Sequence, residues 1–122
     1  DASLLAPLAG ELAGAGAFDA SVQVADRIKN QYWRELALVK VATGFAQTGD
    51  VQRAEQFAAG IASAQTRSEA LKAIAFTRAA AGEYAEARQL AQTIIPSASE
   101  ATQYELKEHF IPLLNCALQP ES

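Results

Sequence analysis

The chain has 122 residues and a net charge of −4; half of its residues are apolar and 7% are aromatic. This length favours one domain with a sizeable core, and an acidic balance without a basic stripe argues against nucleic acid as a partner. No apolar run approaches the roughly 18–20 residues of a membrane span. A chain that starts at Asp1 and lacks Met is expected to be a processed protein or an excised segment, so its localisation stays unknown.

Few residues point to catalysis or to metal binding. The single histidine, His109, and the single cysteine, Cys116, exclude a histidine-based metal cluster, a thiolate zinc site and an internal disulfide. We therefore expect no enzyme activity, no cofactor and no metal. His109 is predicted to be partly exposed. Cys116 is predicted to be buried as a small hydrophobic residue, because it lies in the apolar run 113–118.

A repeat of 33 residues organises the chain. Three glycines mark it, each followed two residues later by a large apolar residue: Gly16 and Phe18, Gly49 and Val51, Gly82 and Tyr84. Small and aliphatic residues then recur in columns: Ser21, Ala54 and Ala87; Ala25, Ala58 and Ala91; Ile28, Ile61 and Ile94. The spacings of four and three residues between columns are typical of one helical stripe. Each repeat is thus predicted to be a helix, a glycine turn and a second helix.

In chain order, the pattern predicts helices at about 3–15, 18–30, 34–48, 51–64, 67–81 and 84–95, with polar links at 30–33, 63–66 and 96–99. A seventh helix follows from Glu100, with Ser97 or Ser99 as its cap. This last helix departs from the repeat, as expected of a cap on the apolar face of a terminal repeat. We expect a kink near Phe110–Pro112, because Pro112 lacks the N–H that a helix needs.

The order of small and apolar residues around each glycine resembles the tetratricopeptide repeat. The fullest match is carried by Leu38, Val41, Ala42, Phe45, Gly49, Asp50, Val51, Ala54 and Ala58. The chain departs from that family in its 33-residue unit, in having Leu38 for a large aromatic, in a closing proline found only at Pro96, and in Arg78 at the column of Phe45. The resemblance implies one all-α domain over 1–122. It would be a right-handed α-solenoid with repeats at about 3–30, 34–64 and 67–95 and a capping helix at 99–118.

The resemblance also implies that the first helices of the repeats line a concave groove. Carried over by position, the groove consists of Ser3, Ala6, Gly10, Ala13, Gly14, Leu36, Val39, Thr43, Ala46, Gln47, Glu69, Lys72, Phe76, Ala79 and Ala80. Members of the family that clamp acidic C-terminal tails use Lys, Asn and Arg side chains there. Only Lys72 remains here, which argues against that ligand.

Leu36, Val39 and Phe76 are apolar yet lie off the columns that pack the repeats. One hypothesis is that they form a docking strip for a partner helix or peptide. The other is that the C-terminal helix, or a neighbouring chain, covers them. Thr43, Gln47, Glu69, Lys72 and Ala80 complete the predicted binding site on the same face.

Tyr32 and Trp33 have no aromatic counterpart in the next repeat. They are interpreted either as a staple across the link or as a recognition site. The sequence as a whole predicts a non-catalytic scaffold that binds a protein or peptide partner in an apolar groove. Two alternatives remain open: a module for self-association as a homo-oligomer, and a groove for an apolar small molecule or lipid.

Overall fold

The computed structural model of the protein describes residues 2–119, and over that range it is all-helical, without a strand. The helices are α1 (Ala2–Gly14), α2 (Phe18–Asp26), α3 (Gln31–Gln47), α4 (Val51–Ala59), α5 (Ala64–Ala80), α6 (Tyr84–Ile94), α7 (Glu100–Glu105) and α8 (Ile111–Leu118). A 3₁₀ turn (Ile95–Ser97) follows α6, and a π-helical turn (Leu106–Phe110) joins α7 to α8. Within 2–119, none of the helices combines the length and the apolar character needed to cross a bilayer.

The predicted glycine turns have almost identical backbone geometry in all three places. Gly16, Gly49 and Gly82 have φ values of 87°, 93° and 85°. The residues that follow them, Ala17, Asp50 and Glu83, have φ between −86° and −88° and ψ of 68°, 66° and 64°. A side chain with a Cβ is disfavoured at such positive φ. The left-handed glycine that ends each first helix is therefore confirmed.

The predicted starts of α3 and α5 were wrong by three residues. Asn30 Oδ1 accepts a hydrogen bond from the Trp33 N–H at 3.1 Å, and Ser63 Oγ accepts one from the Thr66 N–H at 3.2 Å. These side chains satisfy free N–H groups at the helix N-termini. The stretches predicted as polar links are thus the first turns of α3 and α5.

The ends of two second helices were also placed too late. Helix α2 ends at Asp26 and α4 ends at Ala59, rather than near residues 30 and 64. Gly60 serves as the C-cap of α4, and glycine is disfavoured inside a helix. The connections to α3 and α5 follow these earlier ends.

The helices pack in a regular order. Helices α1, α3 and α5 each contact the next member of that row, α2 contacts both α1 and α3, and α4 contacts both α3 and α5. Helix α6 packs on α5. The predicted packing columns fill these contacts, since Val41, Ile74, Ala54 and Ala87 are completely buried. Alanine at such positions allows two helices to approach closely.

Helices α1 and α3 approach each other through backbone rather than through side chains. A methyl group at Gly44 would lie 2.6 Å from the Cβ of Ala13, 2.7 Å from the backbone nitrogen of Gly14 and 2.9 Å from the carbonyl oxygen of Gly10. Separations this short do not occur between unstrained atoms. Gly44 is therefore required by the α1–α3 contact, a role that the repeat pattern did not reveal.

One position of the repeat has opposite chemistry in its two copies. Phe45 is buried, and its ring meets Phe18 at 4.5 Å and Phe57 at 5.4 Å between centroids in edge-to-face geometry. Arg78 lies 33 residues later, and its guanidinium is 3.6 Å from a Glu55 carboxylate oxygen and 3.4 Å from one of Glu83. The third repeat thus replaces an aromatic cluster by ion pairs that link α4, α5 and α6.

The C-terminal segment, residues 100–118, begins with Ser99 as its cap, since Ser99 Oγ accepts from the Thr102 N–H at 3.3 Å. Its π-helical turn directly precedes Ile111 and Pro112, so the expected irregularity takes this form, and the segment continues without a break to Leu118. Leu114 is buried where α8 packs on α6. The prediction for Cys116 was wrong: it is exposed, because it lies away from the face of α8 that Leu114 buries.

Candidate functional site

Four predicted site residues of α3 share one face of that helix. Leu36, Val39, Thr43 and Gln47 are spaced by three, four and four residues, which aligns them along the helix. The first three are half-buried and Gln47 is exposed. The Thr43 hydroxyl donates to the carbonyl oxygen of Val39 at 2.9 Å, which leaves the methyl group of Thr43 as the larger free part of that side chain. We call these four residues the open face.

The open face borders a cavity of about 550 Å³ between α1 and α3. The remaining lining residues are Pro7, Gly10, Glu11, Gly14 and Lys40. The two glycines of α1 lower this wall of the cavity, because they have no side chains. Leu36, Val39 and Thr43 therefore supply an apolar floor, and Glu11 and Lys40 supply charge at its edge.

A second cavity, of about 310 Å³, lies between α3 and α5 and shares Leu36 and Val39 with the first. Tyr32, Glu35, Gln65, Thr66 and Glu69 complete its lining. A glutamine one turn earlier in the chain donates to each carboxylate: Gln31 to Glu35 at 3.4 Å and Gln65 to Glu69 at 3.0 Å. Since two residues line both cavities, the cavities form adjacent parts of one groove across α1, α3 and α5.

A third cavity, of about 420 Å³, lies at the other end of α3 and α5. Gln47 and Ala80, both predicted site residues, line it together with Arg78 and Glu83. Because Arg78 is paired with two carboxylates, its charge is already compensated. This part of the groove has less apolar floor than the part around Leu36 and Val39.

Lys72 and Phe76 contact the C-terminal segment. Lys72 Nζ lies 2.9 Å from a carboxylate oxygen of Glu105, and the rings of Phe76 and Phe110 have centroids 4.5 Å apart. Residues of α7 and of the π-helical turn thus cover α5 at positions that resemble the open face of α3. For Phe76 the structure agrees with the hypothesis of coverage by the C-terminal helix.

Tyr32 and Trp33 separate in the structure. Their rings meet edge-to-face at 5.0 Å, but Trp33 is half-buried against the core while Tyr32 is exposed. Trp33 has the packing position expected of a staple. Tyr32 remains available at the end of the second cavity.

Part of the predicted groove is instead core. Ala6, Ala13 and Ala46 are buried, because α1 and α3 approach so closely that these side chains face the neighbouring helices. Conversely, Pro7, Glu11, Glu35 and Lys40 line the groove and were not predicted. Glu35 and Lys40 directly flank Leu36 and Val39 in the sequence, which was the available signal for them.

Comparisons with known proteins give no relative: no family model matches the chain, and neither a curated protein nor a solved structure is significantly similar to it. Within residues 2–119, no group of three or more His, Cys, Asp or Glu residues is arranged to hold a metal ion. The candidate site therefore rests on its own geometry, a groove with an apolar floor and charged edges.

Proposed function

We propose that the chain is a tetratricopeptide-like module, a right-handed α-solenoid of three helix pairs closed by the C-terminal segment. Two observations support this proposal. The three glycine turns share nearly the same dihedral angles, and successive helix pairs repeat the same pattern of neighbours. A chain that repeats its turns and its contacts at a fixed interval builds a stack in which each unit touches only the next.

On this scaffold we propose that the groove around the open face binds a segment of a partner protein. The observation that carries the proposal is the position of Leu36 and Val39, which line two adjacent cavities of about 550 and 310 Å³. The C-terminal segment, by contrast, covers the corresponding part of α5 at Phe76. An apolar strip on a helix face, rimmed by polar residues, is typical of a surface that binds a peptide or helix.

The edge charges define the chemistry of the partner. Three carboxylates, those of Glu11, Glu35 and Glu69, line the two cavities against the single ammonium group of Lys40. Lys72, the other lysine on this side, is paired with Glu105. We therefore expect the bound segment to combine an apolar side chain for the floor with lysine or arginine beside it, since such charges complement the rim.

A selection from a random peptide library displayed on phage, against the folded protein, tests this function. We expect enriched peptides to carry an aliphatic or aromatic residue next to Lys or Arg. Fluorescence polarisation with one enriched peptide should show affinity falling at least about tenfold for Thr43→Arg, since a bulky cation would fill the groove and repel the peptide.

Thr93→Arg is the matched control. Thr93 is an exposed helical threonine of α6 whose hydroxyl also bonds to a carbonyl in the preceding turn, so it has similar local geometry outside the groove. Equal affinity of the parent and Thr93→Arg, with loss only in Thr43→Arg, supports the proposal. Failure to enrich any peptide, or equal binding by all three proteins, contradicts it.

The lipid alternative is less well supported. Pro7, Glu11, Gly14, Lys40 and Gln47 line the larger cavity and are exposed, so an apolar ligand would stay in contact with water along one side. Sites for small apolar ligands usually bury most of the ligand surface. Native mass spectrometry that shows a co-purified lipid would favour this alternative.

A further inference from the structure

The N-terminal end of the row of helices carries the packing residues of a repeat without the partner that buries them elsewhere. Leu8 occupies the column of Val41 and Ile74, at the 33-residue interval. Val41 and Ile74 are 0% exposed, whereas Leu8 is 42% exposed. The difference arises because α3 and α5 each have a preceding helix pair against them, and α1 has none within residues 2–119.

The neighbouring column behaves in the same way. Leu4 occupies the column of Ala37 and Ala70, which are fully buried, yet Leu4 is 69% exposed. Leu4 and Leu8 are one helical turn apart and lie on the same face of α1. We call this pair the head face; it has the residue positions of a buried contact between repeats.

The opposite end of the row also exposes apolar residues. The C-terminal segment packs on α5 and α6, and its helix α8 buries Leu114. Leu113, by contrast, is 68% exposed, and Cys116 and Ala117 are also exposed. These three residues are spaced by three and one, so they share a side of α8. We call them the tail face.

The two faces match in chemistry. Residues 3–10 of α1 and residues 111–118 of α8 contain no charged residue, so neither face offers an ion pair that would select a charged partner. The head face carries the columns that receive the preceding element of the row. Within one copy, the last element of the row is the C-terminal segment, whose outer side is the tail face.

We propose that two copies of this chain associate head to tail, with Leu4 and Leu8 of one copy against Leu113, Cys116 and Ala117 of the next. Such a contact continues the α1–α3–α5 row from one molecule into another. It joins two different surfaces, so it is heterologous and extends into chains or closes into rings. A contact of one helix on another is small compared with the roughly 1,200 Å² of stable interfaces. The association should therefore be weak and depend on concentration.

Sedimentation equilibrium, in a reducing buffer because Cys116 is exposed, tests the proposal at concentrations up to about 1 mM. The parent should form species larger than a dimer as concentration rises. Leu8→Glu and Leu113→Glu should each remain monomeric, because each loses one of the two faces that every link in the chain requires. Tyr84→Glu, at an exposed aromatic residue of α6, is the control and should associate like the parent.

Mixing the two variants distinguishes this contact from other kinds of association. Leu8→Glu keeps its tail face and Leu113→Glu keeps its head face, so an equimolar mixture should form dimers and nothing larger. Circular dichroism spectra that match the parent show that both variants fold. The proposal is overturned if the parent stays monomeric throughout, if either variant associates alone as the parent does, or if the mixture stays monomeric where the parent associates.

Discussion

The contact between α1 and α3 and the contact between α5 and the C-terminal segment differ in what holds them together. In the first, Gly44 brings the two backbones so close that a methyl group has no space. In the second, longer side chains bridge the gap, with Lys72 bound to Glu105 and Phe76 against Phe110. The first arrangement leaves the open face of α3 uncovered, while the second covers the corresponding part of α5.

The same contrast runs through equivalent positions of the second and third repeats. Val39 corresponds to Lys72, Gly44 to Thr77 and Phe45 to Arg78, each at the 33-residue interval. Apolar or absent side chains in the second repeat become polar or charged ones in the third. One backbone plan therefore supports a groove in one repeat and ion pairs in the other.

The largest effect on stability should come from Phe45. Phe45→Ala removes a buried ring that meets both Phe18 and Phe57, and we expect it to lower the free energy of unfolding by about 3–5 kcal/mol. Arg78→Ala at the equivalent position should cost only about 1 kcal/mol, since partly exposed ion pairs contribute little. Urea denaturation followed by circular dichroism measures both values. Equal losses would show that the two repeats do not differ in this way.

Gly44→Ala should have the next largest effect. Alanine favours a helix over glycine by up to about 1 kcal/mol, but here its methyl group would meet Ala13 and the backbone of α1. We expect a net loss of about 1–3 kcal/mol from this overpacking. Thermal melts should show a lowered Tm.

Gly14→Ala is the matched control for that change. Its methyl group would meet only Gln47 Oε1, at 3.9 Å, which is an ordinary contact. We expect a change within about 0.5 kcal/mol. A melt of Gly44→Ala that equals this control would contradict the close approach of α1 and α3.

Phe76→Ala should loosen the C-terminal segment more than the rest of the molecule. The aromatic pair with Phe110 is expected to contribute about 0.5–1.5 kcal/mol beyond the area it buries. Hydrogen exchange measured by mass spectrometry should become faster in residues 100–118 and stay unchanged in α1 and α3. Uniform acceleration across the chain would mean that the segment is not a separate, weaker contact.

The smallest effect should come from the Lys72–Glu105 pair. A double-mutant cycle with Lys72→Ala and Glu105→Ala should give a coupling of about 0.2–1 kcal/mol, because both side chains are partly exposed. Salt at about 1 M should remove most of it. A coupling that survives high salt would indicate a more buried and more specific contact than the structure shows.

Much of the fold could be predicted because the repeat makes it redundant. The positive φ of Gly16, Gly49 and Gly82 and the buried columns at Val41 and Ile74 followed directly from the 33-residue interval. The starts of α3 and α5 were missed, because Asn30 and Ser63 act as caps through short side-chain contacts that helical periodicity does not encode.

The site was harder to predict, because it depends on distances between helices. The repeat indicated the face of α3 that carries Leu36 and Val39. It did not indicate that Phe110 would cover Phe76, since the C-terminal segment lies outside the repeat. Nor did it reveal Gly44, whose role depends on how closely α1 lies; the same closeness buries Ala13 and Ala46.

The central proposal is that partner binding is confined to the open face of α3. ¹H–¹⁵N correlation spectra recorded during titration with a library-selected peptide test this proposal residue by residue. We expect the largest chemical-shift changes at Leu36, Val39 and Thr43, with residues 100–118 unaffected. Changes centred on Phe76 and the C-terminal segment, with the open face unchanged, would contradict it.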